Sequence, residues 1–295
     1  MIQPLLAKGP HMKLTTLLIN GTRRAAALTD QGLALLPTTP GTDIGDLLRA
    51  GTSLVDFQRL ALEATQFVAP QSATFATPIA EPPKTFCVGL NYADHTKESP
   101  YDQPDYPTLF LRASTSLGAH QAVVERPQVS HSLDFEGEMV VVLAKGGRHI
   151  SKEKALDCVF GYAVGNEISV REYQFKSPQW TVGKNFDGTG TFGPYIVTAD
   201  ELPPGGSGLK IETRLNGETV QSSNTRDMLF DVATVISTIS EAITLQAGDV
   251  IFSGTPAGVG FGRTPKLYMK HGDVVEVEIE QLGLLRNDIR DEQAV

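Results

Sequence analysis

Residues 134–143 read DFEGEMVVVL, and this stretch fixes both a central strand and a first candidate site. The apolar run at 139–143 is rich in β-branched residues and predicts a β-strand. Glu136 and Glu138 stand at the head of that strand, and side chains two residues apart on a strand point to the same face. Two carboxylates that close repel each other unless a proton or a cation lies between them.

A third acid, Glu167, follows the apolar stretch at residues 160–165. Three carboxylates at strand ends make an all-oxygen site of the type that suits Mg²⁺ or Mn²⁺. For an isolated Glu-x-Glu motif, the alternative is a pair of solvated charges at the edge of a sheet. The choice between the two depends on the motifs elsewhere in the chain.

The overall composition is that of a globular protein with a large core, since 41% of the 295 residues are hydrophobic and 20% are charged. The formal net charge of −9 argues against nucleic acid or an anionic membrane as the main partner. Cys87 and Cys158 lie in apolar segments and are expected to be buried thiols, as in a cytoplasmic protein. No apolar run reaches the length of ~18 residues that a membrane span needs.

Three segments are predicted along the chain. Residues 1–11 resemble nothing downstream and are expected to be a leader or tail outside the fold. Residues 12–80 predict a small N-terminal α+β domain with a proline-rich linker at its end. Residues 81–295 carry many β-branched runs and few helices, which indicates a mixed, rolled or barrel-like sheet. One helix is predicted at about 229–245 from its apolar periodicity.

Further candidate residues surround the acids in sequence. His95 and Glu98 have helical i, i+3 spacing, so the carboxylate can orient the imidazole as a base for water, although an exposed pair of this kind is often structural. Lys184 follows a glycine in an apolar-aromatic segment; it could stabilise an enolate or bind a carboxylate, or it could simply extend to solvent. Thr255 lies in the glycine-rich segment 253–260, which is either an anion cradle or a tight turn.

Together these motifs resemble the fumarylacetoacetate hydrolase family, in the branch that includes acylpyruvate hydrolases and 2-hydroxyhepta-2,4-diene-1,7-dioate isomerases. The resemblance spans residues 85–287, with the motifs in the family's order. The matching segments are 89–92 with His95 and Glu98, 136–138, 161–167 with Arg171, 183–186, 193–194, 215–217, 248–251 and 254–260.

The resemblance implies a fold and an oligomeric state. The expected fold is α+β and mostly β, with a mixed β-roll catalytic domain that follows the small N-terminal domain in the chain. A cytoplasmic homodimer is expected, with a role in the catabolism of aromatic compounds. The expected cofactor is one Mg²⁺ or Mn²⁺ ion per chain and no other group, and the expected partner is a small anionic 2-oxo or diketo acid.

The resemblance also implies roles for individual residues. Three glutamates would hold the metal, His95 with Glu98 would activate water, and Lys184 would act in catalysis. Substrate contacts are expected from four residues, of which Arg171 would mainly buttress the site. The metal ligands are Glu136, Glu138 and Glu167, and the substrate contacts are Gln174, Thr255, Arg112 and Arg171.

The chain departs from the family pattern at two positions. The third metal ligand is normally aspartate, whereas this chain has Glu167, and relatives often carry lysine at the position of Arg112. Glutamate keeps the charge but reaches one methylene further, and Mg²⁺ tolerates geometric error poorly. On the sequence alone, Glu167→Asp is expected to preserve or improve Mg²⁺ affinity.

The leading functional prediction is a metal-dependent hydrolase that cleaves a C–C bond in a 1,3-dicarbonyl 2-oxo acid such as an acylpyruvate. His95 would deprotonate the attacking water, and Lys184 would help to stabilise the departing enolate. The alternative is an oxaloacetate decarboxylase or a keto–enol isomerase on the same metal site. A degenerate member that binds a 2-oxo acid as a sensor is a third reading.

Overall fold

The computed structural model describes residues 12–98 and 102–293, and the chain within these ranges is mostly β. The predicted leader or tail at 1–11 lies outside the described residues. The first strands are β1 (Lys13–Ile19), β2 (Thr22–Thr29), β3 (Gly32–Leu35), β4 (Phe67–Val68) and β5 (Phe75–Ala76). The later strands are β6 (Thr85–Gly89), β7 (Thr108–Leu111), β8 (Leu117–Gly118), β9 (Val123–Arg126), β10 (Leu133–Asp134), β11 (Gly137–Leu143), β12 (Val159–Glu167), β13 (Ser169–Val170), β14 (Gly190–Thr198), β15 (Lys210–Leu215), β16 (Glu218–Asn224), β17 (Val250–Phe252), β18 (Val274–Ile279) and β19 (Gly283–Asp291).

The helices are short and connect the strands. They are α1 (Ile44–Arg49), α2 (Leu54–Glu63), α3 (Ala93–Glu98), α4 (Lys152–Ala155), α5 (Arg171–Gln174) and α6 (Val232–Ala242). Short 3₁₀ turns lie at Pro70–Ser72, Ser114–Ser116, Leu156–Cys158, Ala199–Glu201, Pro204–Gly206, Thr225–Asp227 and Gly260–Gly262. Within the described residues, no helix is both long enough and apolar enough to span a membrane.

A twelve-stranded mixed sheet forms the main layer, with β11 near its centre. β11 pairs antiparallel with β12 on one side and with β17 on the other. All of β11 is buried: Val141 belongs to one hydrophobic cluster and Val140 to another, so both faces of the strand are covered. Burial on both faces explains why its apolar run is unbroken and does not alternate with polar residues.

The N-terminal strands continue this same sheet. β1 pairs antiparallel with β14, and β2, β3 and β4 follow outward from β1. Strands from both sides of residue 80 belong to this one sheet, and the domain boundary predicted there stays a prediction. A second, five-stranded sheet has the order β16-β15-β18-β19-β9, and β10 and β13 form a separate pair. The predicted α+β, mostly β fold with mixed sheets is confirmed.

The helix predicted at 229–245 is present as the shorter α6. It begins where the Asp231 side chain accepts a hydrogen bond from the Thr234 N–H at 2.8 Å. Its buried face, which includes Ile236 and Ile239, packs in the same cluster as Val141 of β11. The helix therefore covers one face of the central strand.

Candidate active site

β11 begins at a cavity, which encloses about 510 Å³ of space including its open mouth. All the site residues predicted from sequence line this cavity except Arg112. Aromatic and aliphatic side chains form the rest of the wall, including Phe110, Trp180 and Phe261. The polar lining residues are His95, Glu98, Glu136, Glu138, Glu167, Arg171, Gln174, Lys184 and Thr255.

Three glutamates, Glu136, Glu138 and Glu167, form what we call the glutamate floor of the cavity. Glu138 lies in β11, Glu136 directly precedes that strand, and Glu167 ends β12. The Glu167 N–H donates to the Glu136 carbonyl at 2.9 Å, which fixes the two chain segments side by side. One carboxylate oxygen from each glutamate lies within 4.8 Å of the others, and all three residues are buried.

Two of the floor carboxylates are paired with buried cations. Lys184 Nζ contacts Glu136 Oε2 at 2.9 Å and also bonds Glu167 Oε2. Arg171 Nη1 lies 2.6 Å from Glu136 Oε1. Burial opposes ionisation of Glu136, but Lys184 and Arg171 outweigh burial and hold the pKa of this carboxyl well below its ordinary value.

Glu138 differs from its neighbours because it forms no ion pair with any residue that the structure describes. Its Oε2 accepts the Gly254 N–H at 2.7 Å. Burial, followed by the charges of Glu167 and Glu136, raises the pKa of Glu138. A hard divalent cation would relieve this repulsion, so the donor set of three carboxylates fits Mg²⁺-type chemistry.

The mouth of the cavity carries the predicted histidine–glutamate pair on α3. His95 Nδ1 lies 3.0 Å from Glu98 Oε1, and Glu98 also accepts the backbone N–H groups of Gly258 and Val259 at 3.0 and 3.3 Å. Because a carboxylate oxygen accepts hydrogen bonds, this contact favours a proton on Nδ1 of the ring. Nε2 is thereby the basic nitrogen of His95.

Asp134 is a residue of the site for which no role was predicted from sequence. It is fully buried and accepts hydrogen bonds from Arg171 Nε at 2.8 Å and from the N–H groups of Gly260 and Phe261 at 2.8 and 2.9 Å. It therefore connects the cavity loop at 260–261 to the arginine that contacts Glu136. The available signal was an acid at the start of the segment 134–143, flanked by the apolar residues Leu133 and Phe135.

Arg171 and Gln174 lie one turn apart on α5 and face the cavity together. Arg171 Nη1 donates to Gln174 Oε1 at 2.9 Å. Arg171 Nη2 is buried, and the described residues offer it no hydrogen-bond partner. Thr255 Oγ1 donates to the Gly137 carbonyl at 2.9 Å and accepts Gln221 Nε2 at 2.8 Å, so the protein holds this hydroxyl in place.

Arg112 lies behind the floor instead of in the cavity lining. Its side chain is fully buried, and its donors go to Glu167, Thr189 and the carbonyl of Ile168. The structure thus shows Arg112 in contact with protein groups, and the substrate contact expected from sequence stays a prediction.

Comparison with known proteins settles the family. The family model for the fumarylacetoacetate (FAA) hydrolase C-terminal domain matches residues 84–290. The chain belongs to this family. It is 39% identical over 285 residues to human oxaloacetate tautomerase FAHD2A, mitochondrial, covering 95% of this chain and 88% of that protein. The resemblance stated from sequence is confirmed.

Two solved structures of the family have the same fold. The fumarylacetoacetate hydrolase from psychrophilic Exiguobacterium antarcticum superimposes with a TM-score of 0.83 at 34% identity, covering 95% of this chain and all of that chain. The 2-hydroxyhepta-2,4-diene-1,7-dioate isomerase from Mycobacterium marinum gives a TM-score of 0.74 at 27% identity, with 96% and 100% coverage. The protein is therefore an enzyme of a family that includes hydrolases and isomerases and generally uses a divalent metal, for which the buried glutamate floor is the candidate site.

Proposed function

We propose that this enzyme is a metal-dependent keto–enol tautomerase of small 2-oxo acids, with oxaloacetate-type diacids as the substrate class. The observation that carries the proposal is that one cavity brings together the imidazole of His95, the buried ammonium of Lys184 and a buried guanidinium nitrogen, Arg171 Nη2, which has no partner among the described residues. The curated human relative, 39% identical over nearly the whole chain, is an oxaloacetate tautomerase, which supports the same choice.

Tautomerisation moves one proton between the substrate's C3 and the oxygen on C2. In the enol-to-keto direction, His95 Nε2 would take the proton of the enol oxygen and then donate a proton to C3, with no bond to water formed. Glu98 contacts the other ring nitrogen, Nδ1, which leaves Nε2 to make both transfers. Lys184 then offsets the negative charge that develops on the C2 oxygen.

Substrate binding falls to donors that the protein leaves available. Arg171 Nη2 has no partner among the described residues and would regain one by donating to a substrate carboxylate. Gln174 lies beside it, with its carbonyl oxygen already engaged by Arg171. A Mg²⁺ or Mn²⁺ ion held by Glu136, Glu138 and Glu167 would supply Lewis-acid polarisation of the substrate's oxygens.

The hydrolase predicted from sequence is the second candidate. It is favoured by the His95–Glu98 pair, which could activate water, and by the fold shared with the Exiguobacterium antarcticum hydrolase. It requires a C–C bond to break, whereas tautomerisation leaves the carbon skeleton intact. The homodimer and the small anionic partner remain part of the proposal.

The two candidates give different products from different substrates. With Mn²⁺ present, we expect the ultraviolet signal of enol-oxaloacetate to decay faster than with Mn²⁺ alone, and C3 to exchange hydrogen for deuterium in D₂O with no more pyruvate than Mn²⁺ alone forms. An acylpyruvate should remain uncleaved. Cleavage of the acylpyruvate, with enol-oxaloacetate decaying no faster than with Mn²⁺ alone, would replace the tautomerase by the hydrolase. Pyruvate formed from oxaloacetate faster than with Mn²⁺ alone would indicate a decarboxylase.

A further inference from the structure

Arg112 contacts Glu167 from behind the glutamate floor, and the two oxygens of this carboxylate have different cationic partners. Arg112 Nε donates to Glu167 Oε1 at 2.6 Å, whereas Lys184 Nζ bonds the other oxygen, Oε2. Glu167 is thus held from two sides by two cations of different kinds. Only Lys184 lines the cavity.

The guanidinium of Arg112 is fixed by its surroundings. Its Nη2 donates to the Ile168 carbonyl at 2.7 Å and its Nη1 to Thr189 Oγ1 at 3.1 Å. Gly190 makes room for it, because a Cβ there would lie 2.9 Å from Nη1 and 3.0 Å from Cδ. With a fully buried side chain, Arg112 cannot turn away from Glu167 without leaving a buried charge unpaired.

The ammonium of Lys184 is held differently. It shares its donors between Glu136 and Glu167 at the end of a flexible four-carbon chain, on the cavity side of both carboxylates. A lysine ammonium is a compact charge with rotatable donors, whereas an arginine fork requires its partners in fixed directions. Of the two cations on Glu167, Lys184 is therefore the one that can move.

We propose that Arg112 is a positioning residue that holds Glu167 Oε1, so that only Oε2 of this carboxylate would be available to the divalent ion. Lys184 is the cation that would move away from Oε2 when the ion binds. The inference rests on the proposed metal centre and holds for either reaction. It also reverses the expectation for Glu167→Asp drawn from sequence. Aspartate is one methylene shorter and would withdraw the carboxylate from the fixed guanidinium, so Mn²⁺ affinity should fall.

The test measures Mn²⁺ dissociation constants by electron paramagnetic resonance on the full chain stripped of metal, without substrate. Arg112→Met should bind Mn²⁺ about 10- to 100-fold more weakly, as when a group that orients a metal ligand is lost. Lys184→Met removes a positive charge from the same carboxylate and should bind about tenfold more tightly. If both variants bind more tightly, Arg112 acts only as a competing charge and the proposal is overturned.

Arg112→Lys keeps the positive charge but removes the planar guanidinium with its fixed donor directions. This variant tests the proposal if Arg112→Met does not fold. We expect about tenfold weaker Mn²⁺ binding with an unchanged circular dichroism spectrum, and an unchanged affinity would overturn the positioning role. Glu167→Asp should also weaken Mn²⁺ binding. The double variant, Arg112→Lys with Glu167→Asp, should bind Mn²⁺ no more weakly than the weaker of the two single variants, because both substitutions remove the same Arg112–Glu167 interaction. Additive losses would contradict this.

The outcomes separate the inference from the proposed function. If the wild-type protein binds Mn²⁺ and Arg112→Lys weakens it, but enol-oxaloacetate decays no faster than with Mn²⁺ alone, the tautomerase fails and the role of Arg112 stands. If the wild-type protein binds no Mn²⁺, both the metal centre and the role of Arg112 are overturned.

Discussion

The floor and the mouth of the cavity use carboxylates in opposite ways. At the floor, Glu136 and Glu167 are buried and each contacts two cations. At the mouth, Glu98 is partly exposed, with 19% of its side chain accessible, and it is bonded to His95 and to backbone N–H groups. The difference indicates that the floor is a buried array of compensated charges, whereas the carboxylate at the mouth is within reach of solvent.

The largest expected effect comes from breaking the floor. Glu138→Gln removes the carboxylate that has no cationic partner among the described residues, and with it a ligand of the proposed metal. Mn²⁺ binding should be lost, and turnover should fall by about 10³-fold or more, the upper part of the range for lost electrostatic stabilisation. Electron paramagnetic resonance and enol decay, measured on the same preparation, check both. Near-normal turnover without bound Mn²⁺ would show that the floor serves another purpose.

A change at the mouth should leave the floor intact. His95→Ala removes the base, and turnover should fall by about 10²–10⁴-fold, the range typical of a general base. The Mn²⁺ dissociation constant should stay at the wild-type value, because His95 is not among the proposed ligands. Enol-decay kinetics and a metal titration provide the two readouts. If Mn²⁺ affinity fell along with turnover, the separation between mouth and floor would be wrong.

A smaller effect is expected from the residue that orients the base. Glu98→Gln keeps an oxygen for the N–H groups of Gly258 and Val259 but removes the negative charge beside His95 Nδ1. We expect a decrease in kcat of about tenfold with little change in KM, since the side chain orients the base without contacting substrate. The pH dependence of kcat should shift as well. An unchanged pH profile would assign Glu98 to loop anchoring alone.

Much of the floor could be predicted from the sequence, because its geometry is local. The two-residue period of a strand places Glu136 and Glu138 on one face, and the apolar run between 139 and 143 identifies the strand. Glu167 was predicted as the third acid from its place after the apolar stretch at residues 160–165, and the family pattern supported the prediction. Its contact with Glu136 depends on the antiparallel register of β11 and β12, which local periodicity does not encode.

The contacts that could not be predicted all join distant parts of the chain. Arg112 reaches Glu167 across 55 residues, and Asp134 accepts the Gly260 N–H across 126 residues. The Glu98 anchor uses backbone donors of Gly258, and a sequence does not show which N–H groups are left unpaired. The pairing of β1 with β14 also joins distant segments, so neither strand alone predicts it.

The smallest predicted effect concerns the acid stability of the fold, at a histidine away from the cavity. His120 does not line the cavity, and its Nδ1 accepts the Arg286 N–H at 3.2 Å. Burial, with a contribution from Arg286, lowers the pKa of His120 to about 4. Because this pKa lies below the ordinary value near 6.5, neutral His120 stabilises the fold above about pH 6.5, and that contribution is lost as pH falls toward 4.

His120→Gln should therefore lose less stability than the wild-type protein between pH 7 and pH 4.5. Between these pH values, the free energy of unfolding of the wild-type protein should fall by about 1 kcal/mol more than that of the variant. The figure is small because the ring is only partly buried. Urea unfolding at both pH values measures it. Turnover at pH 7 should be unchanged, and an equal acid loss in both proteins would mean that other groups control the acid sensitivity.

The hydrogen bond between Glu138 and Gly254 has a consequence for how the enzyme is made. The two residues are 116 positions apart, and β17, just before Gly254, pairs in parallel with β6, so that Val250 lies opposite Thr85. Parallel pairing between such distant segments forms late in folding, because a long loop must close first. During synthesis the central strand is thus complete long before its neighbour β17 emerges from the ribosome. A chain truncated before residue 250 would expose an apolar strand edge, which makes premature termination an aggregation hazard as well as a loss of activity.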